Sequence, residues 1–372
     1  MSLPAHDKPT SDHGGTIYAT ARALGCAVDD LLDFSASINP RGPSAAVRQA
    51  LLAALHHIPH YPDSDATELR RALARFHHLP EAAVVPASGS TPLIHLVPGV
   101  VAGERGMVVC PAFNEYEHAL KRHGWKLQRH LLSPDDGFAL HLDRLADDLA
   151  RQRPDVLFFC TPANPTGRLY PAGEVRNVLE LCGRYGTLLV LDEAFMDFCG
   201  EEQSAKAAVV ASGRGIVLRS LTKFHALAGL RLGCALAPPE LAEKLRAAQP
   251  PWELNNLAQV AGVAALADPA EDEATRRMIA EERTLLAELI GRIPGIEPLP
   301  SSTNYLLLRL GNGLTAPALR ERMVQRHRIM VRDCSNFYGL GETFLRVAVR
   351  SREENRRLAA ALSEVVPSQI TP

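Results

Sequence analysis

The sequence predicts an α/β protein with a large domain built on a mostly parallel sheet flanked by helices, plus a small α+β domain. From about Ala83 to Leu236, short apolar runs rich in β-formers alternate with helical patterns. Runs such as VLFFC and TLLVL are near-continuously apolar, as strands covered on both faces are. Beyond Trp252 the rhythm changes to a long charged helical stretch and then a mixed set of strands and helices.

In chain order, DATELRRALARFHHL places Asp65 and Glu68 in a D-x-x-E capping box ahead of apolar residues at helical spacing, predicting a surface helix. AVVPASG reads as a strand passing into the helix TPLIHLVPGVV. MVVCPAF, VLFFCTP, TLLVLDEAF, GIVLRSL and GCALAP read as further strands, with a helix around Glu174 to Arg184. After the helical stretch from about Glu271 to Ile293 come strand TNYLLLRL, helix PALRERMVQRH, strands RIMVRDC and FLRVAVR, and the closing helix REENRRLAAALSEVV. The large domain is expected over residues 39–260. Residues 1–38 are expected to pack with 261–372 as the small domain.

A chain of 372 residues, 46% hydrophobic, is long enough for two such cores. Forty Lys plus Arg against 42 Asp plus Glu leave a net charge of −2, so no basic excess favours nucleic acid or an anionic membrane. The seven cysteines are scattered and form no C-x-x-C pair, which argues against a disulfide framework and a zinc knuckle and fits a reducing cytoplasm. The opening MSLPAHDKPTSDHGG lacks an apolar leader core, and no apolar run approaches the roughly 20 residues of a membrane span. His56 and His60 have ligand-like spacing, but Pro59 between them breaks a helix, so no metal site is expected.

Four short motifs carry chemistry. In RSLTKFHALAGLRLG, a buried strand runs into a turn holding Ser220, Thr222 and Lys223, with Arg231 eight residues beyond Lys223. A lysine there is partly desolvated, which lowers its pKa toward the neutral nucleophile that a Schiff base needs. Ser220, Thr222 and Arg231 are then placed to hold a phosphate. Alone, the string also reads as an ordinary solvated turn. In LDEAF, Asp192 ends a buried strand, where a carboxylate is costly unless paired with a cation. That cation is either a protonated pyridine nitrogen or a structural arginine. In TPANPTG, Asn164 lies in a turn at a strand's carboxyl end, where it either meets a ligand or stabilises the turn. In PASGSTPLIHL, Gly89, Ser90 and Thr91 open a helix whose free N–H groups suit an anion or make a plain cap.

In order along the chain, this phosphate cradle, PAFNEY, NPTG, DEAF and S-x-T-K with its arginine resemble fold-type I pyridoxal 5'-phosphate aminotransferases over nearly the entire chain. The resemblance implies pyridoxal 5'-phosphate bound to Lys223, with Asp192 at its ring nitrogen, Asn164 at its phenolic oxygen and Phe113 stacked on its ring. Gly89, Ser90, Thr91, Ser220, Thr222 and Arg231 fall to its phosphate. Tyr61 of HYPD falls to the phosphate of a neighbouring subunit, which implies a homodimer.

Within the superfamily the chain is similar to histidinol-phosphate aminotransferases and more so to L-threonine-O-3-phosphate decarboxylases of cobalamin synthesis. The second resemblance rests on His13, Gly14 and Gly15 of DHGGT, on LDFSASINPRGP, on Phe195 of DEAF, and on QPPWELNNLA, STNYLLLR, RIMVRDCSNFYGL and FLRVAVR. It implies a small phosphorylated amino acid as substrate, decarboxylated to (R)-1-amino-2-propanol O-2-phosphate. His13, Gly14, Ser37, Asn164, Arg332 and Arg346 are its implied contacts. Ser37 stands where that family usually has Asn, and His225 and Ala228 where Tyr and Pro are commoner. Arginine forks suit carboxylate and phosphate, although arginines are more often surface charge. Two other classes fit less well. A cofactor-binding regulatory module normally carries a DNA-binding domain, for which no residues remain. A dinucleotide-binding oxidoreductase needs an early G-x-G-x-x-G that is absent.

Overall fold

The computed structural model describes residues 13–366. The first twelve residues, most of the opening segment read above as lacking a leader core, lie outside the described residues. Two compact units emerge. Among the described residues, one holds residues 13–40, Pro165–Gly167 and residues 278–366; the other holds Arg41–Asn164 and Arg168–Arg277.

The chain enters through α1 (Ile17–Leu24) and the two-residue strand β1 (Leu32–Asp33) of the smaller unit. The larger unit opens with α2 (Ala45–Ala54), capped by the Ser44 hydroxyl accepting from the Val47 N–H. The start of α3 (Thr67–His77) differs from the expected box at Asp65 and Glu68. Ala66 turns left-handed at φ 44°, and the carboxylate of Asp63 instead accepts from the Thr67 N–H at 2.8 Å.

Strands and helices then alternate: β2 (Val84–Ala87), α4 (Ser90–Val100), β3 (Arg105–Cys110), α5 (Glu115–Arg122), β4 (Lys126–Leu131), α6 (Leu142–Gln152), β5 (Val156–Cys160) and α7 (Ala172–Tyr185). After these come β6 (Leu188–Asp192), α8 (Lys206–Ala211), β7 (Gly215–Ser220), the single turn α9 (Leu221–Phe224), β8 (Gly233–Leu236), α10 (Pro239–Ala248) and α11 (Asn256–Ala265). The seven strands form one sheet in the order β2-β8-β7-β6-β5-β3-β4. All run in one sense except β8, which is antiparallel to both neighbours. Its apolar centre packs on the helices: Val108, Phe158, Val190 and Leu218 lie in one cluster with Leu93 and Ile94 of α4. Strand β5 is buried at every position, as its unbroken apolar run predicts, and β7 (GIVLRS) is equally buried although it carries Arg219 and Ser220. Edge strand β4, with its polar sequence KLQRHL, shows no such run.

The smaller unit is completed by α12 (Pro269–Gly291), β9 (Ile296–Pro298), β10 (Tyr305–Leu310), α13 (Ala316–His327), β11 (Ile329–Met330), β12 (Arg332–Asp333), β13 (Phe344–Ala348) and α14 (Arg352–Val365). The join expected near residue 260 falls between 277 and 278, inside α12, because α11 packs on α2 and α3 and so stays with the larger unit. RIMVRDC, read as one strand, divides between two sheets. Residues of β11 pair in parallel with β1, and those of β12 pair with β13 in the antiparallel sheet β12-β13-β10-β9. All seven cysteines are free thiols; Cys26 and Cys199 are partly exposed and the other five are buried. Among the described residues no helix is long and apolar enough to cross a membrane.

Candidate active site

In the larger unit the sheet's register assembles the motifs along one edge. Gly233 of β8 pairs with Ala87 of β2 on one side and with Ser220 of β7 on the other. This brings the start of α4 beside the serine–lysine turn. On the neighbouring strands Cys160 pairs with Asp192 and Asp192 with Leu218, so the ends of β5, β6 and β7 lie level. This is the carboxyl edge of the parallel strands, where open α/β sheets collect ligands.

Ser220 and Thr222 are buried with their hydroxyls 2.7 Å apart, and the Lys223 ammonium donates to the Ser220 oxygen at 3.0 Å. The reading of this segment as a solvated turn is therefore excluded. The amine also lies 5.2 Å from the centre of the Phe195 ring. Arg231 sits at a left-handed φ of 60°, a conformation that costs about 1 kcal/mol or more outside glycine. A side-chain carbon on Gly89, whose φ is 91°, would lie 2.8 Å from the Arg231 guanidinium. A carbon on Gly233 would lie 2.7–2.8 Å from the Arg219 carbonyl and from the Gly89 and Ser90 backbone. Two glycines thus let three backbone segments and one guanidinium converge on the first turn of α4, where Ser90 and Thr91 offer free N–H groups. Gly233 was not singled out in the sequence, since only the placement of β8 between β2 and β7 gives it this task.

Asp192 is 4% exposed. Burial raises its pKa, while a hydrogen bond from Tyr116, the nearby Lys223 charge and the Ala194 N–H pull it down. The Tyr116 hydroxyl donates to Oδ2 at 2.6 Å and the Ala194 N–H to Oδ1 at 2.8 Å. The arginine alternative for Asp192 is taken up by its neighbour instead: Arg219 bonds Glu193 at 3.2 Å and also meets Asp197 and Glu201. Tyr116 is a further site residue that sequence reasoning missed, although it closes the PAFNEY motif. Phe113 meets it edge to face at 5.9 Å. Asn164 closes the segment after β5, where the Ala163 N–H bonds the Arg168 carbonyl. Tyr61 is 78% exposed, its ring stacked on Trp252 at 4.5 Å. His225 is largely but not fully buried, edge-on to Phe224 and 3.7 Å from Asp272; the Ala228 carbonyl accepts from Arg231 at 3.4 Å.

This donor set fits pyridoxal 5'-phosphate: hydroxyls, helix N–H groups and an arginine for an anion, and a buried carboxylate with lone pairs to spare for a cationic ring nitrogen.

In the smaller unit, Arg332 and Arg346 face each other as directly paired residues of β12 and β13. Both are buried, which removes the surface-charge reading. Like charges in that position repel unless an anion joins them. Arg332 bonds the Asp333 carbonyl at 2.6 Å and Asn336 at 2.7 Å, and burial with the nearby Arg346 charge lowers its pKa to about 10. Arg346 bonds the Ser35 carbonyl at 3.2 Å. A side-chain carbon on Gly14 would lie 2.2 Å from that same oxygen, so the His13–Gly14 segment can lie here only without one. A cavity of about 460 Å³ is lined by His13, Gly14, Ser35, Arg320 and Arg332 among others. Ser37 is buried beyond that lining, its hydroxyl making no hydrogen bond among the described residues.

The residue pattern of aminotransferase class I and II matches residues 29–362. The chain belongs to that family. Like other members of the aminotransferase class I and II family, it is a pyridoxal-phosphate-dependent enzyme of fold type I. It is 39% identical over 360 residues to the threonine-phosphate decarboxylase of Salmonella typhimurium, covering 96% of this chain and 97% of that one. It is 30% identical to a histidinol-phosphate aminotransferase of Methanothermobacter thermautotrophicus, covering 95% of this chain and 94% of that one. Among solved structures, the L-threonine-O-3-phosphate decarboxylase from Porphyromonas gingivalis superposes with a TM-score of 0.80 at 28% identity, covering 90% of this chain and 99% of that one.

Proposed function

We propose that the enzyme decarboxylates L-threonine O-3-phosphate to (R)-1-amino-2-propanol O-2-phosphate, a step of cobalamin biosynthesis in the cytoplasm. The observation that carries this reading is the buried, directly opposed pair Arg332 and Arg346. Two permanently charged forks call for a substrate with two acid groups, as a phosphorylated amino acid has. The 39% identity to a threonine-phosphate decarboxylase favours the same substrate.

Bound pyridoxal 5'-phosphate supplies an electron sink for the pair released when a bond to Cα breaks. In this reading Gly89, Ser90, Thr91, Ser220, Thr222 and Arg231 hold its phosphate, Phe113 covers its ring, and Asn164 donates to its phenolic oxygen. Asp192 keeps the ring nitrogen protonated, and Lys223 attaches the cofactor through its ε-nitrogen. Arg332 and Arg346, with His13, Gly14, Ser37 and Asn164, would bind the acid groups of the substrate and so select the bond from Cα to the carboxylate, rather than to hydrogen, for cleavage. The Lys223 amine would deliver a proton to Cα. Tyr61 contributes from a second subunit of a homodimer.

Holoenzyme given L-threonine O-3-phosphate is expected to release carbon dioxide without forming glutamate. Glutamate from histidinol phosphate and 2-oxoglutarate, with no gas from the threonine ester, would establish an aminotransferase instead. Borohydride reduction followed by digestion is expected to leave the pyridoxyl group on the peptide containing Lys223, and to label nothing in Lys223→Ala.

A further inference from the structure

We propose that Tyr116 is a positioning residue for the reaction, its phenol fixing the carboxylate plane of Asp192 before the cofactor's ring nitrogen meets it. This rests on the reading of Asp192 as the ring nitrogen's partner.

The hydrogen bond from the Tyr116 hydroxyl to Oδ2 is 2.6 Å long and buried. The phenol has little freedom to leave it. Its ring stacks on Phe158 of β5 at 5.2 Å with 13° between planes, and Phe113 closes on it edge to face. The Ala194 N–H holds Oδ1 at 2.8 Å. Each oxygen therefore spends one lone pair on the protein and keeps one, and the plane in which the remaining pairs lie is set by two rigid donors. A carboxylate at the end of a strand with one donor would be free to rotate about its terminal bond. Here the acceptor is oriented in advance, so little ordering remains to be done when the ring arrives.

The groups facing Asp192 agree with this role. Burial and the adjacent carboxylate push the Tyr116 phenol well above its usual range, so it donates at every working pH. Cys160 on β5 is raised likewise and stays a neutral thiol, adding no second negative charge. Lys223 is the one cation among these neighbours, and its charge, like the Tyr116 bond, favours the ionised carboxylate. Without the phenol, burial has less to oppose it and the carboxylate binds a proton at higher pH.

The test compares wild-type holoenzyme with Tyr116→Phe, Asp192→Asn and the double variant. Tyr116→Phe keeps the ring on Phe158 and is expected to weaken cofactor binding about ten- to a hundredfold in equilibrium dialysis. The acid limb of its kcat–pH profile should move up by about one unit or more, with KM for the substrate little changed. A second expectation separates positioning from general support: in the Asp192→Asn background, Tyr116→Phe should add nothing. An equal loss in both backgrounds, or an unmoved acid limb and unaltered cofactor affinity, overturns the proposal. Asp192→Asn with wild-type cofactor affinity and kcat overturns the reading of Asp192 itself, whatever Tyr116 does. Should Tyr116→Phe not fold, 3-fluorotyrosine at position 116 retains the packing and makes a stronger donor. The acid limb should then move down, and a limb that stays in place is equally decisive against the role.

Discussion

Asp272 lies buried in the first turn of α12, its carboxylate 3.7 Å from His225 Nδ1. Burial, with Asp197, Asp268 and Glu271 nearby, raises its pKa from 3.8 to about 7 against the pull of Arg276. His225, which stands where the resemblance leads one to expect Tyr, is itself held below its usual range by burial, so it brings no full positive charge at neutral pH. Between pH 4 and 7 the folded chain therefore keeps a proton at Asp272 that the unfolded chain has released. Stability contributed by that proton is lost as pH rises through this window and is gone above it. Asp272→Asn stays neutral throughout. Its melting temperature in scanning calorimetry should match wild type near pH 4 and exceed it at pH 8 by roughly 2 °C or more. Equal melting temperatures at both pH values would refute the assignment.

Among the elements, β8 shows most directly how strand order makes the site. Its first residue, Gly233, is paired on both sides, and a methyl group there would meet three backbone atoms at 2.7–2.8 Å. None of these atoms can swing aside as a side-chain tip does. Gly233→Ala should cost about 2 kcal/mol or more in denaturant unfolding and loosen the cofactor's phosphate more than it alters KM for the amino substrate. A variant of wild-type stability and cofactor affinity would show that the cradle tolerates the shift. The central strands were legible because VLFFC and the LLVL of TLLVL are apolar runs, buried at every position but Leu188. Strand β4 was not, because an edge strand keeps polar residues. The split of RIMVRDC depends on which partner each half finds, β1 or β13, and local pattern is silent about partners. The motif residues around Asp192 and Lys223 lie at strand ends, where the pattern changes abruptly and can be read. Tyr116 and Gly233 act through helix orientation and strand order, which no spacing encodes.

For the whole molecule, the feature that asks for a partner is a row of exposed apolar side chains on the larger unit. Leu52, Leu55, Ile58 and Tyr61 recur every third residue from the end of α2, and Tyr61 stacks on the exposed Trp252. Solvated, such a row is unfavourable by roughly 25 cal/mol for each Å² left uncovered. If it is the homodimer contact proposed above, Leu55→Asp combined with Ile58→Asp should convert a sedimenting dimer to a monomer. Wild-type enzyme running as a monomer at micromolar concentration would remove the basis for placing Tyr61 in a neighbour's site. The thiols carry a separate consequence. Burial pushes Cys110, Cys182 and Cys234 up to about 12 and Cys334 to about 11, and Cys160 also rises, which leaves them inert to alkylating reagents. Cys26 and Cys199 are the partly exposed ones, the first in the smaller unit and the second in the larger. The natural chain thus comes with one attachment point per unit, and a donor–acceptor dye pair coupled there would turn any rearrangement during turnover into a fluorescence signal without a single engineered residue.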